Sequence, residues 1–484
     1  MSKVIEQPTR PFIPYSLCVL LFVCVWLQVF IARNVMLDTI LLQILGSCMA
    51  AALGLWYVKY AHTSLMTVGV VLLSLVIIFI RSSFIYASQM ASVDLLESTA
   101  IHDFELVVSR DLVYKNHTWT GQASVFYQGS CIGFVGIHAK EPFLRETHLC
   151  CEGRFTQYKD KEFSEEQFKR GVLGSIQITK VNSKTYEEGI IGEVAQFREN
   201  CISQLQPEQS FGRALVACGL CAYRPSLYSF NIPRIFMRCG LMHLIAISSC
   251  HMVILSTFID AFFKKLTIKP LLRGVVNLFL LSSYALFCGL PASAMRAILL
   301  VEQKYVMQYV GRKNHTLSAV SIVALFMLCI DPQLSVNIAF TLSLACIFGM
   351  NIYGGLAQYY AKIAFHISGY GTIQKILRKP FSDVRNTMCA TTVAQLSCLP
   401  ISCMYFGHFS LLAPLSSALI TSLFSLLSLF GIGAIALCWF KPAQDVAFCL
   451  VDFLGQFIET LTSFLSERSF ASVSLTDMSW IVSL

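Results

Sequence analysis

Charge is what this sequence has least of: 13% of its 484 residues are Asp, Glu, Lys or Arg, against 55% hydrophobic residues and a mean hydropathy of +0.64. A soluble globular chain carries roughly 25% charged residues, so the composition excludes that class. Motifs for nucleotide or bond hydrolysis are also missing. There is no G-x-x-x-x-G-K-[ST] loop, no H-E-x-x-H and no G-x-S-x-G elbow. The ten histidines form no H-x-H-x-D-H cluster, which excludes the usual binuclear metal hydrolase. Cysteine is plentiful at 19, but it is scattered through apolar segments, where a thiol is an ordinary small hydrophobe. "CGLC" at 218–221 has redox spacing without a thioredoxin-like context, and helix packing explains it more simply.

What is present is a series of apolar runs long enough to cross a hydrocarbon layer, which takes about 20 helical residues. Three fall at 12–32, 37–58 and 63–80. The first follows a basic start and is too long for a cleavable leader, so a retained span is expected. The texture changes after Arg81. From 82 to 189 strand-like runs such as "FELVVSRDLV", "TGQASVFYQG", "CIGFVGIHA" and "HLCCEGRFTQY" alternate apolar and polar residues, as strands with one buried face do. A small all-β barrel of about 90 to 100 residues fits that length. An amphipathic connector follows over 190–234, with 190–215 reading as one interfacial helix. Apolar runs return at 235–262, 271–289, 294–310, 316–330, 335–356, 386–406, 409–440 and 445–465, the run at 409–440 fitting either one tilted span or a dip followed by a span. The expected fold is an α-helical polytopic membrane protein with an inserted all-β domain, in segments 1–81, 82–189, 190–234 and 235–484.

Basic residues orient it. Lys264, Lys265, Lys269 and Arg273 share one connection, Arg312 and Lys313 another, Lys362, Lys375, Arg378, Lys379 and Arg385 a third, and Lys441 a fourth. The connections around 289–293, 331–334 and 407 have none. The positive-inside tendency puts the basic connections in the cytoplasm, the N-terminus with them and the β-domain outside. Residues 82–238 hold 16 basic and 17 acidic side chains, the remainder 20 and 11, so the net +8 resides in the helical part. That excess serves topology, and it also suits a path for a polyanion.

Polar groups inside the apolar runs are the candidate functional residues, because an ionisable side chain in a span is costly and faces a partner, a cavity or a pathway. "GLMHLIAISSCHMVILS" (240–256) holds His243, Ser248, Ser249 and His251. On one helix the two histidines lie about 80° apart and can face one groove; bonding to a carbonyl one turn back explains them equally well. "GLPASAMRAILLVEQKYV" (289–306) carries Arg296, Glu302, Gln303 and Lys304, with Arg296 and Gln303 on one face. Arg296 can pair with Asp331 or Glu302, or offer its fork to phosphates. "DPQLSVNIAFTLSLA" (331–345) contributes Asp331, which can cap the next helix, and Ser343. No metal-ligand spacing occurs near these groups, and no cofactor is expected.

These segments resemble, in order, those of the ComEC-type competence protein family. "HLIAISSCH" is similar to its H-L-L-A-I-S-G-L-H, and "PASAMRA" to its P-S-x-x-R-A, with Ser293, Arg296 and Ala297 in register. "DPQLSVNIAFTLSLA" is similar to its D-P…G-F-Q-L-S-F-x-A, and "LPISCMYFGHFSLLAPLSSAL" to its late L-P…Y-F-G-x-F-S…N-L. Ser249, Ala339, Thr341 and Ser417 depart from the pattern. The resemblance implies a bacterial inner-membrane channel, not an enzyme, that passes single-stranded DNA into the cytoplasm during transformation. Its β-domain would be an external OB-like fold. The nuclease-like C-terminal domain of many members has no counterpart in these 484 residues. The partners implied are single-stranded DNA, membrane lipid, a DNA receptor, a cytoplasmic ATPase and a further copy of the chain. His243, Ser248, His251, Arg296, Gln303, Asp331 and Ser343 would line or brace the path. Trp119, Tyr127, Arg154 and Tyr158 would meet DNA in the β-domain, by stacking and charge. The net charge of −1 over 82–238 suits guiding a strand rather than gripping it. The competing readings are a proton- or ion-coupled small-molecule transporter and a membrane-embedded hydrolase using Ser248.

Overall fold

The computed structural model describes residues 65–98, 103–115, 117–127, 129–158, 163–164, 167–168, 170–186, 189–245, 249–311, 316–364, 372–406, 408–468 and 472–474. The expected spans at 12–32 and 37–58 lie outside the described residues. The first described helix, α1 (Leu65–Ser98), runs on past Arg81, so the strands begin later than the change in texture suggests. They are β1 (Asp103–Lys115), β2 (Thr118–Tyr127), β3 (Ser130–Ala139), β4 (Thr147–Thr156) and β5 (Val172–Tyr186).

These five strands close a barrel in the order β1-β2-β3-β5-β4, with β3 and β5 parallel and the other pairs antiparallel. Alternation does the sorting. Ala123 and Val125, Val135 and Ile137, and Ile176 and Ile178 point inward, where Phe104, Leu106, Val108, Leu149 and Phe143 complete the core. Gln177 and Arg154, directly opposed across β5 and β4, point out. β1 is irregular between Val108 and Val113, and this bulged stretch turns Asp111 away from the regular pairing.

The connector forms α2 (Ile190–Leu205) and α3 (Phe211–Cys221), not one helix. Ser210 caps α3 by accepting from the Arg213 N–H at 3.2 Å, and Gln206 ends α2 in the left-handed region. Short helices α4 (Pro225–Ser229), α5 (Ile232–Cys239) and α6 (Met242–Ile245) follow. Then come α7 (Ser249–Lys265), α8 (Pro270–Cys288), α9 (Ala292–Tyr309), α10 (Thr316–Ile330), a 3₁₀ turn (Pro332–Val336), α11 (Ile338–Ala364) and α12 (Thr372–Phe406). After β6 (His408–Ser410), α13 (Ala413–Ala436) and α14 (Lys441–Ser466) form a helical pair, and β7 (Ser472–Ser474) returns to pair with β6. The run at 409–440 is therefore crossed by a single helix. The helices α8, α11, α13 and α14 are long and apolar enough to cross a membrane.

α3 packs against α14 where Gly212 and Gly455 let the backbones meet: a Cβ on Gly455 would lie 2.3 Å from the Gly212 Cα. Arg213 adds a two-pronged bond to Asp452, at 3.0 and 2.8 Å, and its guanidinium lies 4.3 Å from the centre of the Phe448 ring.

The barrel is fastened to the helices through one carboxylate. Asp111, its side chain 6% exposed, accepts from both terminal nitrogens of Arg198 on α2 and from the backbone N–H of Arg145 in the β3–β4 loop. Each arginine also reaches a helix end. Arg198 Nε donates to the Cys221 carbonyl at 2.7 Å, and Arg145 Nη2 donates to the Phe287 carbonyl at 2.9 Å. Burial alone would lower the Arg198 guanidinium, but the Asp111 charge and hydrogen bond outweigh it and hold it above its ordinary value. Arg145 is lowered, by burial and then by the Arg198 charge. A second contact seats the barrel where Gly171 abuts the Gln333 amide of the 3₁₀ turn.

Asp111→Ala would leave two buried arginines without their shared counter-charge, a loss of about 3–5 kcal/mol. A thermal melt of the purified protein should show a large drop in midpoint; an unchanged midpoint would remove Asp111 as the fastening.

Candidate functional site

The four motif-like segments pack on one another, and the histidine segment touches two of the others. Gly240, in the left-handed region at φ 71°, starts the histidine segment, and a Cβ there would lie 2.3 Å from that of Ala413. Ser410 and Ser416, from the late segment, donate to the carbonyls of Arg238 at 2.9 Å and Cys239 at 2.6 Å. The histidine segment is thus bound to the start of α13. The arginine segment on α9 packs both on the histidine segment, where Met252 shares a core with Ala294, Ala297 and Ile298, and on the segment after Asp331. Phe340 and Leu344 share a core with Met295 and Leu299. Cys346 lies within electrostatic reach of Arg296 and hydrogen-bonds Cys398 of α12.

Arg296 is fully buried, 0% exposed, among apolar neighbours that include Ala294, Ala297 and Ile298. Gln303, seven residues on, keeps its side-chain oxygen buried and unbonded among the described residues. Asp331 accepts from the Gln333 N–H at 2.9 Å, capping its own 3₁₀ turn, and its nearby cation is Arg81 of α1 rather than Arg296. Arg296 and Asp331 therefore occupy different surroundings. Asn337 caps α11 through the Ala339 N–H at 3.0 Å, Thr341 is buried and bonds back to the Asn337 carbonyl, and Ser343 is half-buried on the same helix. The Ser417 hydroxyl is buried without a hydrogen bond among the described residues. His243 is exposed on α6. Ser248 lies outside the described residues, as do the side chains of Ser249 and His251.

A second polar cluster ties α7, α8 and α9. Asn277, 0% exposed, donates to the Tyr305 hydroxyl at 2.8 Å; that hydroxyl bonds Asp260, which also accepts from Arg273 at 2.8 Å. Sequence reading passed over it because Arg273 was counted with a basic connection. The available signal was Asn277, one amide inside the apolar run "VVNLFLL".

In the barrel, Trp119 has inward parity and packs on the core beside Tyr114, with ring centres 5.3 Å apart. Tyr127 ends the same strand, about 27 Å away at ~3.4 Å per residue, so these two do not form one platform. Arg154 and Tyr158 do share an outer face, the Tyr158 ring reaching over Gly136 and meeting Phe163 at 5.0 Å. Among the described residues no three His, Cys, Asp or Glu side chains are grouped to hold a metal ion.

Tyr305→Phe removes the hydroxyl that joins Asn277 to Asp260 and should cost about 1–3 kcal/mol, because the Asn277 amide stays buried without its acceptor. Replacing both, with Asn277→Leu added, should recover part of that loss in the same thermal assay. A double variant no better than the single one would show that the amide is satisfied elsewhere.

Comparison with curated proteins finds no match, and comparison with solved structures finds none. A family model described as competence protein matches residues 226–484, over half of the chain and all four of the segments just described. The chain belongs to the competence protein family.

Proposed function

We propose that this protein conducts a single DNA strand across the bacterial inner membrane during DNA uptake, with the barrel outside and the basic connections in the cytoplasm. The observation that carries the reading is the family match, which covers the whole helical part from α4 onward. Arg296 supports it: a guanidinium held wholly inside a bundle of apolar helices is costly, and groups of that kind mark routes for charged cargo. The barrel contacts also agree with the orientation. Arg145 meets the end of α8 and Gly171 meets the turn after Asp331. Both helix ends belong to connections without basic residues, the outer ones by the positive-inside tendency.

On this reading the barrel is an OB-type fold, since its strand order and its parallel β3–β5 pair suit that description. Arg154 and Tyr158 on its outer face guide the strand by charge and stacking. The chain does no bond-breaking itself, and the driving force comes from a partner ATPase or the membrane potential.

In cells producing Arg296→Ala at normal membrane levels, internalisation of labelled DNA should fall at least about tenfold, the equivalent of one hydrogen bond to a charged group. Arg296→Lys, keeping the charge without the fork, should fall between. Uptake at the wild-type rate in both variants would overturn the assignment of Arg296 to the path.

A further inference from the structure

Cysteines that are neighbours in sequence are turned to other partners in the folded chain. Cys218 is buried on α3 and donates to the Ile245 carbonyl at 3.0 Å. Cys150 and Cys151 are consecutive on β4, where successive side chains take opposite faces, so one is exposed and the other buried. A third couple, distant in sequence, is in direct contact: Cys346 of α11 and Cys398 of α12.

Two printed contacts bracket Cys346. One turn before it, the Leu342 carbonyl accepts from the Cys398 thiol at 3.3 Å. One turn after it, Gly349 lies against α12, where a Cβ would stand 2.3 Å from that of Ser397 and 3.7 Å from the Val393 carbonyl oxygen. The numbering rises along one helix as it falls along the other, so α11 and α12 run antiparallel through this contact. A side chain on a helix leans toward the turn before it, which aims the Cys346 thiol at the carbonyl that already holds Cys398. The two thiols are hydrogen-bonded to each other there. A disulfide needs Cβ atoms about 3.5–4.5 Å apart, and thiols in contact across helices packed this closely are within reach of it.

Both side chains are half-buried rather than sealed. Cys346 lies about two turns from Ile338 and Cys398 about two turns from Phe406. Both therefore stand at one depth, roughly 12 Å from the helix ends that the basic residues assign to the outside. A small uncharged oxidant such as hydrogen peroxide can reach that depth, where a bulky one cannot. The pair also borders the group proposed for the path, since Cys346 is within electrostatic reach of Arg296.

We propose that Cys346 and Cys398 form a modification site, at which a peroxide oxidises the two thiols to a disulfide that fastens α11 to α12. Cys346, as the thiolate, attacks one peroxide oxygen. An S–O bond forms, the O–O bond breaks, and the released hydroxide takes up a proton and leaves as water. The Cys398 sulfur, giving up its proton, then attacks the sulfenic sulfur of Cys346. The S–S bond forms, the S–O bond breaks, and a second water leaves with that proton. The thiols lose an electron pair in all, and the peroxide gains it. A thiol reductant reverses the step. The site stands without the strand-conducting function, but its consequence rests on that reading: with α11 joined to α12, the route past Arg296 cannot widen between them, and conduction falls.

The test treats the full chain in nanodiscs with hydrogen peroxide, blocks the remaining thiols with N-ethylmaleimide and reads the digest by mass spectrometry. A linked peptide joining the segments around 346 and 398, and lost on reduction, is expected. Cys346→Ser and Cys398→Ser should each lack it. Oxidation should raise the thermal midpoint of the wild type and leave that of either variant where it was, because only the cross-link constrains the unfolded chain. Matching midpoints under reducing conditions establish that the variants fold. In cells, a peroxide pulse should lower internalisation of labelled DNA by the wild type, a thiol reductant should restore it, and Cys398→Ser should be spared. Cys346 and Cys398 recovered as maleimide adducts while other cysteines oxidise, or either one linked to a different cysteine, overturns the site. A peroxide loss of uptake equal in wild type and Cys398→Ser overturns its effect on the path. Reduced wild type that internalises no DNA overturns the conducting function and leaves the disulfide assignment to the digest.

Discussion

The Asp111 carboxylate and the two arginines around it decide how the rest of the molecule is arranged. A buried ion pair contributes little net stability, because desolvating the charges offsets most of their attraction. What it does supply is geometry. Arg198 and Arg145 are long, planar and aimed, and each ends on the carbonyls of a helix C-terminus, where the helix dipole already favours a cation. The barrel is therefore set against the ends of α3 and α8 by groups that tolerate few alternative positions.

Inside the helical part, small side chains let the histidine segment and the start of α13 approach closely. Gly240 against Ala413, and Ser416 on the Cys239 carbonyl, leave little room between the histidine segment and α13. Arg296 lies on a helix that packs on the histidine segment and faces Cys346 on α11. Two of the departures from the family pattern fall at packed positions: Thr341 bonds its own helix, and Ser417 is buried with its hydroxyl unbonded among the described residues. A shorter side chain at 417 than the asparagine of the resembled pattern loses reach more than it loses polarity.

Period and composition made much of the fold legible. Alternation found the stretches that became β1 to β4, and the apolar runs beyond 270 each found a helix, because both signals are local. Contacts between distant residues left no such trace. Asp111 and Arg198 are 87 positions apart and sit in unremarkable surroundings, so no window joins them. Trp119 looked available for stacking until strand parity turned it inward. The connector reads as one amphipathic helix by moment, yet Pro207 and the capping Ser210 mark its division, and a start signal outweighs a face pattern there. Asp331 was legible as a cap, and its separation from Arg296 was not, because pairing across helices depends on rotation about each axis.

The short sheet made by β6 and β7 has one more implication. Its strands join the ends of α13 and α14 remote from Lys441, while the tight turn at 437–440 joins the other ends. The two helices thus form a closed ring, latched by backbone hydrogen bonds at one extremity and by the covalent chain at the other. Splaying them would mean unzipping the latch, so on the proposed conducting function a strand inside the bundle has no sideways escape between this pair.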